Sequence, residues 1–171
     1  MGKRKALDFF VDKLTNSIEN AQSGDNFPTE VSLLSRDEIK MLNRKRGWQF
    51  DWKNEAKYAL RELYKLSIVY TPTIIQGAVS LEVRKDHVFM HLIESAPFNI
   101  GKQKTYLGVP GNLTAFACKL SFQRGGEGYV SFLAKSQLVN HYEQTLGAMH
   151  VGGQLMVINT PAALKLMNRY F

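Results

Sequence analysis

Glu94, Tyr142 and a pair of glycines, Gly108 and Gly111, are of types and spacings that could do chemistry. Glu94 closes an alternating apolar run in which Val88, Met90 and Leu92 share its face, which directs its carboxyl toward an interior. A carboxyl taken out of water holds its proton more tightly, and that suits a general base. The glycines lie in Tyr106-Leu107-Gly108-Val109-Pro110-Gly111-Asn112, between a strand and a helix. Backbone N–H groups at a helix start can hold a pyrophosphate, and glycine lets the backbone come close to it. Tyr142 follows one strand later, on a helix, where it could donate a proton.

The elements that must position these residues read as strand 87–95, loop 96–112, helix 113–122, strand 129–133 and helix 136–146, the last closed by Gly147. Leu113, Phe116, Ala117 and Leu120 fit one helical face; Phe116, Cys118, Leu120 and Phe122 would equally fit a strand, and the alanines and preceding Gly-Asn favour helix. Upstream, Leu7, Phe10, Val11, Leu14 and Ile18 predict an amphipathic helix over 3–20, within an N-terminal helical extension covering 1–24. A strand is expected over 30–34, and a helix over 36–45, opened by a capping box of Ser35 and Glu38 and closed by Gly47. A second helix, capped by Asp51, is expected over 53–64. Leu66–Tyr70, Ile74–Val83 and Val88–Glu94 then alternate as an antiparallel meander. Met149–Ile158 reads as a hairpin turning at Gly152-Gly153, and Thr160-Pro161 opens a C-terminal helix within 159–171.

Composition is ordinary for one globular domain over 1–171, with 44% hydrophobic and 22% charged residues. No apolar run approaches a membrane span, and no signal peptide follows the basic Met1–Lys5, so the expectation is a cytoplasmic protein with no membrane partner. Cys118, the one cysteine, reads as a small core residue. The net charge of +7 attracts anions without choosing among them. His87 and His91 stand roughly 13 Å apart on a strand, too far to share a metal, and no metal site is expected.

The order strand, two helices, three antiparallel strands, helix, strand, helix and hairpin, together with the glycine turn and the helix bearing Tyr142, resembles the GNAT family of acetyl-CoA-dependent N-acetyltransferases over roughly residues 30–158. Ser95-Ala96-Pro97 sits where that family's fourth strand splays. Tyr106–Leu113 is similar to its glycine-rich loop in shortened form. His141-Tyr142-Glu143-Gln144-Thr145-Leu146-Gly147-Ala148 is similar to its Tyr-Glu-Lys-Leu-Gly-Phe segment, with one extra residue and Ala148 in place of Phe.

The resemblance implies an α/β (α+β) fold with a mixed, mostly antiparallel central sheet flanked by helices. It implies acetyl-CoA as co-substrate, direct attack by a primary amine and a tetrahedral intermediate. Glu94 would be the base and Tyr142 the acid that protonates the thiolate. Coenzyme A would lie against Ile93, Ser95, Lys104, Tyr106, Gly108, Val109, Gly111, Asn112 and Leu113. The pattern departs from the family at Thr105 and at Pro110, which has no N–H to offer a phosphate. Gln123-Arg124-Gly125-Gly126-Glu127-Gly128 matches the family consensus letter for letter, but strand residues follow it where a helix should begin. The acceptor amine is not named by the sequence, and a homodimer is compatible with it.

The same residues have plainer readings. Glu94 would serve as a strand-end residue held by lysine or backbone, Tyr142 as a packing side chain beside Leu138 and Val139, and the glycines as turn formers. Two other functions stay open. One is a catalytically silent domain of this fold that binds a ligand or a protein. The other is a basic nucleic-acid module using Lys3–Lys5 and Arg44-Lys45-Arg46-Gly47-Trp48-Gln49-Phe50-Asp51-Trp52.

Overall fold

The computed structural model describes residues 5–171. Short strands β1 (Ile18–Asn20) and β2 (Asn26–Phe27) precede β3 (Thr29–Leu33), helix α1 (Arg36–Met41), a 3-10 turn at Arg44–Arg46 and the one-turn helix α2 (Trp52–Glu55). There follow β4 (Arg61–Ile68), β5 (Gly77–Val83), β6 (Val88–Ser95), β7 (Tyr106–Leu107), α3 (Val109–Gln123), β8 (Val130–Leu133) and α4 (Val139–Leu146). A hairpin of β9 (Met149–Gly152) and β10 (Leu155–Ile158) leads to α5 (Thr160–Tyr170).

Seven strands form one sheet in the order β3-β4-β5-β6-β8-β10-β9. Every neighbouring pair is antiparallel except β6 and β8. This is the mixed, mostly antiparallel sheet flanked by helices that was expected. Parallel strands cannot be joined by a tight turn, so α3 makes the crossover and packs on β5 and β6. The parallel pairing covers only Val88 with Val130 and Phe89 with Ser131. Beyond it β6 runs on to Ser95 and β8 to Leu133, and the two strands part. The site lies in that gap.

Local signals placed most caps. Ser35 and Glu38 form the reciprocal capping box, with N–H to oxygen distances of 3.1 and 3.0 Å, and Gly147 ends α4 in the left-handed conformation. Asn159, one residue before the expected cap, accepts from the Ala162 N–H and caps α5, which puts Pro161 at the second helical position. The helix expected from 113 begins four residues earlier, at Val109. Gly108 turns the chain at φ 93°, and Pro110 then falls in the first turn, where a missing N–H costs no helical bond.

Of two expected helices, one does not form and one is cut to a single turn. The amphipathic pattern of 3–20 forms no helix over the described residues 5–20; Met1–Arg4 lie outside them. Leu7 and Val11 are buried and Phe9 is half-buried, while Asp8 and Phe10 are exposed, so burial alternates instead of following a helical stripe. The segment's polar backbone groups find partners elsewhere: Leu7 with Leu133 and Lys135, Val11 with His141, Lys13 with Tyr170 and Leu14 with Arg169. Those partners replace the internal ladder a helix would supply.

The helix expected over 53–64 stops after one turn, and the strand expected from Leu66 begins at Arg61. Leu60 is 75% exposed, while Leu63, Tyr64, Leu66 and Ile68 are buried. β4 has a partner on both sides, β3 and β5, and two ladders outweigh the helix propensity that Ala, Leu, Glu, Lys and Arg residues give this stretch. Cys118 is fully buried on α3, and burial pushes its thiol up to about 12.

Candidate functional site

The gap between β6 and β8 is entered by the chain's own N-terminal segment. The Leu7 N–H donates to the Leu133 carbonyl at 2.6 Å and the Lys135 N–H to the Leu7 carbonyl at 2.9 Å, so the segment extends the β8 edge in parallel at Ala134. Asp8 and Lys135 add an exposed ion pair at 2.8 Å.

Tyr142 stands on α4 facing this gap and is fully buried. Its ring stacks on Phe9 at a centroid distance of 4.6 Å and meets the edge of Phe132 at 5.3 Å. Its hydroxyl donates to the Phe9 carbonyl at 2.5 Å. Burial raises its pKa, with the nearby Asp8 adding to the effect, so the phenol is held protonated.

Its neighbour His141 accepts the Val11 N–H on Nε2 at 2.9 Å. Burial lowers the His141 pKa from 6.5, so the unfolded chain takes up this proton more readily than the folded one. The contribution of His141 is therefore complete above pH 6.5 and is lost as pH falls through the lower folded value. Buried His91, lowered chiefly by burial and bonded to Glu82, acts with the same sign. Between about pH 7.5 and about pH 5 the urea midpoint of the wild type should drop further than that of His141→Gln, since His91 titrates in both. Equal drops would remove His141 from the account.

At the other end of the groove, the N-terminus of α3 carries a carboxylate of the chain itself. The Gly108 N–H donates to Asp12 Oδ1 at 3.1 Å, and Lys104 Nζ lies 3.1 Å from Asp12 Oδ2. An anion at a helix start, with a lysine beside it, is favourable for the macrodipole. Thr15 packs against the Cα of Gly108 so closely that a β-carbon there would overlap its hydroxyl. Gly111 faces α5, where a β-carbon would overlap the hydroxyl of Tyr170, so its smallness serves helix packing. Val109 and Leu113 are core residues, and Asn112 is buried with its amide donating to Thr29 Oγ1 at 3.0 Å. Tyr106 is half-buried; its N–H donates to Asn99 Oδ1 at 3.0 Å and its ring meets Phe27 edge-on.

Glu94 is 5% exposed and accepts three N–H groups. Oε2 takes the Gln49 N–H at 2.6 Å; Oε1 takes the Phe50 N–H at 3.3 Å and the Trp52 indole N–H at 2.8 Å. The carboxylate thus pins the 47–52 loop to the end of β6. Between them, the free end of β6 and the N-terminal segment enclose a cavity of about 600 Å³, whose walls include Ile93, Glu94, Ser95, Lys104, Phe9 and Asp12.

Glu94 and Lys104 thus line this cavity, while Tyr142 and Gly108 are separated from it by Phe9 and Asp12, which they contact. Gly111, Asn112 and Leu113 turn toward the core. Sequence reasoning missed Phe9, Asp12 and Thr15, which fill the groove, and the donors Gln49, Phe50 and Trp52. The available signal was the alternation Leu7-Phe9-Val11, which competes with the helical pattern. Arg44, Lys45 and Arg46 are exposed, but Trp48 and Trp52 are buried and offer no stacking surface for a base. Among the described residues no three His, Cys, Asp or Glu side chains are grouped to hold a metal ion, and no helix is long and apolar enough to cross a membrane.

No family model matches the sequence, and no curated protein sequence matches it. Solved structures do share its architecture. Mutant forms of the spermidine/spermine N-acetyltransferase SpeG from Vibrio cholerae align with a TM-score of 0.56 at 15% identity, over 80% of this chain and 96% of that one. AtaTR bound with AcCoA aligns at 0.53 and 12% identity, over 81% of this chain and 98% of that one. A KacTA–DNA complex aligns at 0.51 and 10% identity, over 82% and 98%. At these identities the likeness is one of fold.

Proposed function

We propose, from the GNAT fold that this chain has, that it is an acyl-CoA-dependent N-acyltransferase that carries an acetyl group to a primary amine. One observation supports the reading: β6 and β8 part, and the cavity at the free end of β6, lined by Glu94 and Lys104, is walled by Phe9 and Asp12, which rest on the Tyr142 hydroxyl and on the N-terminus of α3. Acetyl-CoA would supply the activated thioester, and AtaTR, of similar fold, was solved with it bound.

The residues suit that co-substrate in type. Backbone at Ile93 and Ser95, at the free end of β6, is available to the amides of a pantetheine arm. The N–H groups of Gly108, Val109 and Gly111, with Lys104 and Tyr106 nearby, suit a pyrophosphate; Asn112 and Leu113 complete the turn by packing inward. Pro110 withholds one donor. The acceptor amine would pass a proton to Glu94, directly or through water, as its nitrogen bonds the acetyl carbon and the carbon–sulfur bond breaks. Three N–H donors leave Glu94 Oε2 an acceptor direction for that proton. Tyr142, held protonated by burial, would return a proton to the departing thiolate.

Turnover of acetyl-CoA with a panel of small amines, peptide lysines and amino termini tests the reading. Tyr142→Phe should slow transfer by about 100-fold without weakening acetyl-CoA affinity. Full activity of that variant with several amines would remove Tyr142 from the acid role. A second reading, a catalytically silent binding domain, is favoured by the Phe9 carbonyl and the Asp12 carboxylate standing on the two contacts a cofactor needs. Acetyl-CoA binding without turnover of any amine would select it.

A further inference from the structure

The proposed cofactor groove already holds a ligand, which is part of the chain. Phe9 lays its ring on Tyr142 and its carbonyl on the Tyr142 hydroxyl, the contact assigned above to the thiolate. Three residues later, Asp12 places its carboxylate on the Gly108 N–H and on Lys104, the contacts assigned to the pyrophosphate. Leu7 on the edge of β8, Val11 on His141 and the close fit of Thr15 to Gly108 anchor the stretch along its length. A carbonyl where the sulfur would sit and an anion where the phosphates would sit match the groove's polarity at both ends.

We propose that residues 7–15 are an intramolecular competitor of acyl-CoA, so that the co-substrate binds only molecules in which this segment has left the groove. The inference rests on the acyltransferase reading above and adds its regulation. Its physical consequence is a reduced apparent affinity: the intrinsic dissociation constant is divided by the fraction of molecules with the groove open. Leaving exposes the buried Leu7, Val11 and Thr15, which keeps the open fraction small. Against that, the segment has no internal helix to melt, its ion pair with Lys135 is exposed, and several of its anchors are single hydrogen bonds.

Two variants test this by calorimetric titration with acetyl-CoA. Phe9→Ala/Asp12→Ala removes the ring stacked on Tyr142 and the carboxylate held by Gly108 and Lys104, leaving the backbone carbonyl of residue 9 as the remaining tie to Tyr142. The loosened segment should leave more readily, and affinity should rise about tenfold or more over wild type. In Asp8→Cys/Lys135→Cys, a short bismaleimide bridge should hold the segment down, and affinity should fall about tenfold or more against the same unbridged protein. Buried Cys118 should stay unmodified. Amide exchange at Leu7 and Val11 should speed up when acetyl-CoA is added to wild type.

If bridged and unbridged protein bind acetyl-CoA equally, the segment is no competitor, and the acyltransferase reading survives. If the double-alanine variant keeps its fold and its segment amides exchange freely, yet acetyl-CoA still does not bind, the cofactor assignment itself fails and the inference falls with it.

Discussion

Glu94→Ala should lower the stability of this protein by about 3–5 kcal/mol, read as a fall in the urea midpoint. Glu94 is buried at the end of β6 and receives N–H groups from Gln49, Phe50 and the Trp52 indole, which lie 45, 44 and 42 residues away in sequence. Hydrogen bonds to a charged group contribute roughly 1.5–3 kcal/mol each, and donors stranded in the interior cost more than their bond was worth. The three do not add fully, because they share one loop. Trp52, with no exposed surface, would also lose the anchor that orients its ring.

Glu94→Gln separates structure from chemistry. It keeps the side chain's shape and one acceptor, so it should lose less stability than alanine does. If Glu94 is the base, the glutamine variant should still bind acetyl-CoA and should fail to transfer the acetyl group at any pH. An alanine variant that unfolds at the wild-type midpoint would show that the carboxylate does not hold the 47–52 loop.

Gly111→Glu should unseat α5 from α3 and cost about 3–5 kcal/mol. From sequence, this substitution reads as one that would block a cofactor and spare the fold. The structure also gives the Cα of Gly111 a packing role, so the fold would not be spared. A β-carbon there would run into the Tyr170 hydroxyl, which is itself buried and bonded to the Lys13 carbonyl at 3.3 Å. Gly111→Ala should already be destabilising by about 1–3 kcal/mol, since the buried Tyr170 would have to shift and give up its bond to the Lys13 carbonyl. Removing that hydroxyl in Gly111→Ala/Tyr170→Phe should recover part of the loss, and thermal unfolding of the set measures the coupling. Wild-type stability in Gly111→Glu would mean that α5 does not rest on this glycine.

Much of the fold was legible because its signals are local. Alternation fixed β5 and β6, the Ser35–Glu38 box fixed the start of α1, and Gly147 fixed the end of α4. A cap, a turn or a two-residue period depends on neighbours within about four positions, so the chain states it directly. α3 starts ahead of its expected position because Pro110 reads as a loop residue, although proline in a first helical turn is an ordinary local signal.

Residue order and type alone thus dictate the succession of helices and central-sheet strands from β3 to α5 and the glycine turn that opens α3, whereas β7 lies inside the expected loop 96–112. The path of residues 5–17, the length of β4 and what the site residues touch were settled only when the chain folded on itself. The physical reason is range. Leu7, Phe10, Val11, Leu14 and Ile18 satisfy a helical period, but the segment's backbone is claimed by Leu133, Tyr142, His141 and Tyr170, more than a hundred residues further on. Asp12 meets Gly108 across 96 residues of chain, a contact that neither local pattern announces. Only the parting of β6 from β8 opens the gap in which those partners come together.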